Sequence, residues 1–340
     1  MQFVLSSIAI LIKIKVHMSS IKFYITIDTE EDNWSHYSAS RNTINNISKI
    51  PILQNIFDKY GAIPTYLVNW PVAVDKNASS IFKNLLKKGK CEIGTHCHPW
   101  NTPPIPKTIN SNSLMLSNLS HDLIYNKISR LHSLTVDRME THPACFRSGR
   151  WAFSSNVAKV INELGYKIDT SISPFIDWSD IKGPNFSQLN NDIYKFSPAN
   201  IFKKDDNGSI LEVPATVGYF QKNVKLCHNF RKIILKSSLR HLKLIGILEK
   251  LRILNFRWLS PELSTSRDMI RLTKALIRSG QTFLNFSFHS TSLYPGSSPF
   301  VKDELQLQIF LNRIDKFLQF ASNNSMHFLP LSAALNYETN

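Results

Sequence analysis

The sequence lacks most of the features that would place it in a specialised class of protein. Its four cysteines contain no C-x-x-C pair, which argues against a disulfide scaffold and favours a reducing compartment. Beyond the N-terminus there is no apolar run long enough to cross a bilayer, and there is no repeat or low-complexity tract. These absences indicate an ordinary globular protein, for which we expect a cytoplasmic location.

Acidic residues are scarce relative to basic ones, and the imbalance is local. The chain has 40 Lys and Arg against 25 Asp and Glu, a formal net charge of +15. Residues 222–257 contain ten of the basic residues and one acid, Glu249, so this segment carries +9 and the rest of the chain +6. The concentration of positive charge in one segment argues against a diffuse nucleic-acid-binding surface. We therefore expect no nucleic-acid partner.

Residues 1–20 are interpreted as an N-terminal extension. The stretch "MQFVLSSIAILIKIKVHM" is apolar, but Lys13 and Lys15 follow its apolar core, and no small-x-small cleavage site is present. It is also shorter than a membrane span. An extra strand, or residues upstream of a start at Met18, are the favoured interpretations. A short membrane anchor is the remaining alternative.

From residue 21 to 340, strand-like and helix-like segments alternate as expected for one α/β domain. This alternation predicts a parallel sheet with helices outside, closed or nearly closed into a barrel. Strands are predicted at 21–30, 62–70, 91–96, 144–149, 166–172, 210–216, 282–290 and 326–331. Helices are predicted at 46–61, 79–89, 120–139, 154–165, 266–280 and 302–322, with a basic helical region at 224–256.

Ionisable residues stand at the ends of five predicted strands. Each could have a structural role by itself, as a capping acid, a core histidine or a solvated arginine. In a barrel, however, the carboxyl ends of the strands form one rim, where the chemistry takes place. The residues are Asp28 and Glu30, His96 and His98, Arg147 and Arg150, Asp169, and His289.

The spacing of these residues predicts a metal site. Side chains alternate along a strand, so Asp28 and Glu30 share one face, and so do His96 and His98. Two imidazoles and one carboxylate are a common ligand set for a catalytic divalent metal, and the second carboxylate is then left as a base. Such a metal, with Arg147, would neutralise the carboxylates. The following acids, Glu31 and Asp32, are expected to be solvated.

These motifs resemble the polysaccharide deacetylases, also called NodB-homology or carbohydrate esterase family 4 proteins. The resemblance runs in the right order from about Ile21 to Leu335. It is carried by "TIDTE", "EIGTHCHPW", "FRSGRW", "GYKIDTSISP", and "LNFSFHS" followed by "SLYPGSSPF". It implies a distorted (β/α)7 barrel. The basic helical segment, at about 222–258, is not part of the family's motif set and is expected to be an insertion.

The chain departs from the family pattern at two ligand positions. Thr29 stands where the family has its second aspartate, so Glu30 is assigned as the ligand and Asp28 as the base. The residue four after His96 is Trp100 instead of histidine, so His98 is assigned as the second imidazole ligand. After the arginine, "SGRW" replaces the family's proline-tyrosine, which changes the expected substrate contacts.

The resemblance implies a metal-dependent deacetylase that acts on an N-acetylated glycan or lipid-linked sugar, with one divalent ion that we expect to be zinc. It further implies that Arg147 holds Asp28, and that Asp169 orients His289 as the acid. We expect the substrate to contact Trp100, Arg150 and Trp151.

Other functions stay open at this stage. The same barrel could hydrolyse another non-peptide C–N bond, or it could be a non-catalytic glycan-binding protein. Residues 224–256 could pack on the barrel with a solvated basic face, or could give peripheral contact with the inner face of a membrane. In the second case Leu235, Leu239, Leu242, Ile245 and Leu248 would be exposed beside the basic residues.

Overall fold

The computed structural model describes residue 18 and residues 20–32, 34–236 and 244–336. The N-terminal extension predicted at 1–20 lies almost wholly outside the described residues, as do residues 237–243 of the basic segment. Met18 is buried in the main hydrophobic core.

The strands of the described residues are β1 Lys22–Thr29, β2 Thr65–Val68, β3 Glu92–Cys97, β4 Cys145–Ser148, β5 Ile168–Asp169, β6 Tyr194–Phe196, β7 Ile210–Glu212, β8 Val217–Tyr219, β9 Phe256–Trp258, β10 Phe283–His289 and β11 His327–Leu329. Seven parallel strands form the central sheet, in the order β10-β1-β2-β3-β4-β5-β7. Strand β6 pairs antiparallel with β7, and β11 pairs with the first half of β1. A separate antiparallel pair is formed by β8 and β9.

Helices connect these strands, and several begin at a side-chain cap. Asp75, Ser154, Thr265 and Asp303 each accept a hydrogen bond from a backbone N–H in the first turn of the helix that follows. The α-helices are α1 Ile50–Lys59, α2 Trp70–Val74, α3 Lys76–Lys87, α4 His121–Met139, α5 Ser155–Glu163, α6 Val224–Lys236, α7 Leu244–Lys250, α8 Ser266–Arg278 and α9 Glu304–Asn323. Among the described residues, no helix has the length and apolar character required to traverse a bilayer.

Alternation along β1 separates the core from the interior of the curled sheet. Phe23, Ile25 and Ile27 belong to the largest apolar cluster, with residues of α1, α8 and α9. Tyr24 belongs to a different cluster, with residues of β2, β4, β5 and β7. Above Tyr24 come Thr26, which donates to Asn285, and then Asp28. The interior therefore changes from apolar to charged towards the carboxyl end of the strand.

The sheet curls so that its open side is closed by irregular backbone. The N–H of Thr216 donates to the carbonyl of Asn285 on β10 at 3.3 Å, and the N–H of Ser287 donates to the carbonyl of Leu259 at 3.2 Å. This arrangement confirms the predicted distorted barrel. The alternating elements were predicted within a few residues, but α2, β6, β8 and β9 were not.

Candidate active site

The predicted site residues converge at the carboxyl ends of neighbouring strands. Asp28 lies opposite His289 where β1 pairs with β10, and His96 lies opposite Arg147 where β3 pairs with β4. All four line cavities at this rim, with His289 more accessible than the others. Glu30 follows the end of β1 directly.

Glu30, His96 and His98 form a buried group that could hold a metal ion, because one donor atom from each lies within 4.8 Å of the others. Glu30 Oε2 is 3.3 Å from Nε2 of His96 and 3.1 Å from Nε2 of His98. The three residues are 2 to 5% exposed. A compact set of two imidazoles and one carboxylate is the donor chemistry that a catalytic divalent ion requires.

The other nitrogen of each imidazole is already held by the protein. Nδ1 of His96 lies 3.1 Å from the carbonyl oxygen of Arg147, and Nδ1 of His98 lies 3.1 Å from Glu31 Oε1. When Nδ1 carries the proton, the Nε2 lone pair is directed at the shared point beside Glu30. This is how proteins usually orient metal-binding histidines, so the residues present fit a metal.

The buried carboxylates stabilise positive charge on the neighbouring imidazole. Burial lowers the pKa of His98, but Glu31 and Glu30 outweigh burial and raise it to about 10. Burial raises the pKa of Glu30, but hydrogen bonds from His96 and His98 outweigh this and lower it strongly. A divalent ion would supply the same charge and would compete with the proton on His98.

Glu31 and Asp32 are not solvated, contrary to the prediction; each is 5% exposed. Glu31 accepts hydrogen bonds from Trp100 Nε1 at 3.0 Å and from Asn69. Asp32 accepts the backbone N–H of Asn46 at 3.0 Å. The prediction was wrong because groups from other segments of the chain pack over both carboxylates and donate hydrogen bonds to them.

We expect Glu31→Gln to weaken metal affinity by about 10- to 100-fold, the usual effect of removing an outer carboxylate from a metal-binding histidine. The substitution keeps the shape of the side chain but removes the charge facing His98 Nδ1. Titration of the metal-free protein with Zn²⁺ would measure the effect. Asp32→Asn is the matched control, since Asp32 contacts backbone and Asn46 instead of a candidate ligand. Equal affinities in the two variants would contradict this role for Glu31.

Asp28 is held by Arg147, as predicted. Nη1 of Arg147 donates to Asp28 Oδ1 at 2.6 Å, and Arg147 is 1% exposed. Its remaining donors reach Thr26 Oγ1 at 2.7 Å and the carbonyl of Thr170 at 2.8 Å. Burial raises the pKa of Asp28, but Arg147, with His96 and His289, outweighs it and keeps the pKa below its ordinary value.

His289 faces Asp28, but its orienting partner is not the predicted one. Nε2 of His289 is 3.6 Å from Asp28 Oδ2, and Nδ1 is 3.0 Å from Glu262 Oε2. Glu262 also accepts from Ser292 Oγ at 2.6 Å and from the backbone N–H of His289 at 3.2 Å. Burial lowers the pKa of His289, but Glu262 and the site carboxylates raise it to about 9.

Asp169 lies elsewhere, so the prediction that it orients His289 is wrong. It accepts from Ser171 Oγ at 2.7 Å and from the Ser171 N–H at 3.0 Å. It is in register with Glu212 on the adjacent strand β7. Burial raises the pKa of Asp169 to about 6 and raises that of Glu212 well above its ordinary value. Asp169 therefore belongs to a buried acid pair beneath the rim.

The cavity over the site has a volume of about 260 Å³ and a largely aromatic wall. All three predicted substrate contacts, Trp100, Arg150 and Trp151, line it. Trp100 stacks on His98 with ring centroids 4.1 Å apart, and Arg150 lies over the Tyr37 ring at 4.9 Å. The other aromatic residues of the wall are Trp34, Tyr37 and Trp178.

The "SGRW" segment explains how Arg150 and Trp151 reach the cavity. Both have left-handed backbone, with φ of 57° and 59°, which is uncommon for non-glycine residues and typical of functional sites. A Cβ at Gly149 would collide with Cδ2 of His98, so this position accepts only glycine. The segment thus brings the backbone close to a candidate ligand.

The prediction from sequence missed Glu262, Glu31, Trp34 and Trp178. None of the four ends a strand, which was the signal used to find the others. Glu262 lies in the irregular segment between β9 and α8, where an acid looks like an ordinary solvated residue. Trp34 contacts His289 edge-on, with ring centroids 4.7 Å apart, and no local pattern indicates this.

No family model and no curated protein matches this chain. Among solved structures, the chain is similar to a protein of Mycobacterium smegmatis assigned as a polysaccharide deacetylase, with a TM-score of 0.54 and 13% identity, covering 94% of this chain and 90% of that one. It is also similar to the 4-alpha-glucanotransferase of Thermococcus litoralis, with a TM-score of 0.52 and 11% identity, covering 94% of this chain but only 40% of that one.

At these identities the likeness shows the fold. The two named proteins differ in activity, so the fold does not select a reaction, and the function has to be argued from the site. The fold predicted from the motifs is confirmed. The chain has the distorted barrel fold of the polysaccharide deacetylases.

Proposed function

We propose that this protein is a metal-dependent hydrolase that removes an N-acetyl group from a sugar. One observation carries the proposal: the buried group of Glu30, His96 and His98 lies beside an ionised Asp28 and faces His289 across the same cavity. A ligand set, a base and an acid are the three parts needed to hydrolyse an amide.

Glu30, His96 and His98 would hold one divalent ion, and we propose zinc because nitrogen and carboxylate ligands suit it. When bound, the ion supplies Lewis acidity at the acetyl carbonyl and lowers the pKa of water. Asp28 is the proposed base because Arg147 keeps it ionised, and its Oδ2 faces the cavity. It accepts a proton from the attacking water.

His289 is the proposed acid. Its pKa of about 9 means that it is protonated at neutral pH, as a proton donor must be. Nε2 would give its proton to the sugar nitrogen as the C–N bond breaks, which releases acetate and the free amine. Glu262 keeps Nδ1 protonated, so that Nε2 is the nitrogen directed at the cavity.

The aromatic wall supports a sugar substrate. Faces of Trp and Tyr side chains offer broad apolar surfaces, and polar groups at their edges meet hydroxyls. We further propose that the sugar belongs to a surface polysaccharide or its lipid-linked precursor. A cytoplasmic protein held at the inner face of the membrane through residues 224–256 would meet that precursor.

The test is metal content together with acetate release. The purified protein should contain about one equivalent of zinc and release acetate from N-acetylglucosamine oligomers. Chelation should abolish release and added zinc should restore it. Release of formate, or of ring-opened product from cyclic amides, would instead favour a hydrolase of another C–N bond. Glycan binding without any hydrolysis by the zinc-loaded protein would favour a non-catalytic glycan-binding protein.

A further inference from the structure

Helix α6 exposes a stripe of large apolar side chains. Leu226, Phe230 and Ile233 are 65%, 45% and 62% exposed, and their spacing of four and three residues places them on one side of the helix. The opposite side packs inward, with His228 buried and Val224 and Cys227 against an aromatic cluster. The helix therefore has a separate apolar surface that the barrel does not cover.

Helix α7 and the turn after it also expose large apolar side chains. Ile247, Leu251 and Ile253 are 50%, 63% and 53% exposed, whereas Leu248 packs against the same aromatic cluster as α6. The two helices contact each other. We call the six exposed residues the apolar face: Leu226, Phe230, Ile233, Ile247, Leu251 and Ile253.

Basic residues accompany the apolar face on the two helices and in the turn after α7. Lys225, Lys250 and Arg252 are exposed, and Lys232 is partly so. The sole acid of residues 222–257, Glu249, is engaged by Arg257 at 3.0 Å. The described part of this segment thus presents positive charge beside apolar side chains, with its one carboxylate already neutralised.

We propose that the apolar face docks on an anionic membrane surface. Exposed apolar side chains flanked by lysines and arginines are the combination that lies in the lipid interface, where the apolar groups enter the bilayer and the cations meet the headgroups. A second copy of the chain fits less well, because it would bring one strongly basic segment against another. A nucleic acid would use the cations but leave the aliphatic side chains exposed.

Docking there would set the distance from the membrane to the cavity. The cluster that anchors α6 and α7 contains Trp151 and Trp258, whose rings are 5.4 Å apart and which line the rim cavities. The same packed cluster therefore supports both the helices that carry the apolar face and the wall of the cavity. The docking inference rests on exposure and charge, and only its purpose, access to a lipid-linked sugar, rests on the proposed function.

The test is sedimentation of the full-length protein with vesicles of phosphatidylcholine containing 30% phosphatidylglycerol. At low salt the protein should pellet with these vesicles, and the triple variant Leu226→Ser, Phe230→Ser, Ile233→Ser should bind at least about tenfold more weakly. The matched control is Ile52→Ser, Leu305→Ser, Ile309→Ser, which removes three apolar residues that are 49%, 72% and 42% exposed on α1 and α9. This control should bind like the unmodified protein.

The charge dependence is tested separately. Each basic residue near an anionic surface contributes about fivefold to binding, so Lys225→Gln with Lys232→Gln should weaken it by roughly 25-fold. Binding should also fall between 0.05 and 1 M NaCl, since the screening length contracts to about 3 Å. Equal binding to neutral vesicles would overturn the anionic preference.

Two outcomes would overturn the inference: no sedimentation at low salt, or loss of a dimer in the serine triple variant, which would make the apolar face an interface between copies. Acetate release from a soluble N-acetylated oligomer separates this inference from the proposed function. The triple variant should retain it, because no substituted residue lines the cavity. Vesicle binding without hydrolysis would leave the docking surface standing and remove the enzymatic proposal.

Discussion

The substitution Asp28→Asn is expected to lower kcat by about 10²- to 10⁴-fold, the usual contribution of a general base. The metal content should stay unchanged. Asp28 Oδ2 is 4.0 Å from Nε2 of His96, whereas Glu30 Oε2 is within 3.3 Å of both candidate nitrogen ligands. The geometry thus favours Glu30 as the ligand and leaves Asp28 for proton transfer.

The reciprocal variant Glu30→Gln is the control, because it should lose metal as well as activity. Asp28→Asn also removes the charge opposite buried Arg147, so the free energy of unfolding should fall by about 3–5 kcal/mol. Activity must therefore be compared per folded molecule, with urea unfolding as the check. Metal loss in folded Asp28→Asn would show that Asp28 is a ligand and would leave the base unidentified.

The sequence predicted those parts of the site that follow from regular strands. Asp28 and His96 lie within β1 and β3, where alternation fixes the face of each side chain, and both face the cavity. Arg147 on β4 was placed correctly for the same reason. These predictions required only that parallel strands end at one rim.

Residues beyond strand ends were harder to place. Glu31 was expected to be solvated, but it is buried by Asn69, His98 and Trp100, which come from other segments. Asp169 was assigned by motif order, but β5 is only two residues long and pairs with β7 instead of approaching β10. Long-range packing decided both cases.

The basic segment shows the same limit. The predicted apolar row included Leu239 and Leu242, which lie outside the described residues. Of the others, Leu235 is 40% exposed and Ile245 and Leu248 are partly buried. The row was chosen by one helical spacing across the segment, and the described residues of the segment form α6 and α7. Apart from Leu235, the exposed apolar residues are a different set, which the packing against Tyr219 and Phe256 reveals.

The substitution Glu262→Gln should reduce kcat by about 10²-fold. It should also move the fall in activity at high pH, the basic limb of the pH–activity profile, to lower pH. Glu262 holds Nδ1 of His289 at 3.0 Å and is the largest of the charges that raise its pKa to about 9. An acid must be protonated, so activity of the unmodified protein should fall as pH rises through about 9. Without the Glu262 charge, the pKa of His289 should move towards its ordinary value of 6.5, and activity should fall from that lower pH.

Asp169→Asn separates this arrangement from the one expected from motif order. Asp169 contacts Ser171 and lies beside Glu212, with no contact to His289, so its loss should leave the basic limb near pH 9. The pH dependence of the free energy of unfolding gives a second measurement. Because His289 has a raised pKa when folded, its contribution is complete below pH 6.5 and is lost as pH rises through about 9, so Glu262→Gln should remove stability at pH 6 more than at pH 10. The assignment would be reversed if the basic limb of the pH–activity profile moved in Asp169→Asn and stayed in place in Glu262→Gln. The carboxylate that raises the pKa of His289 would then be Asp169.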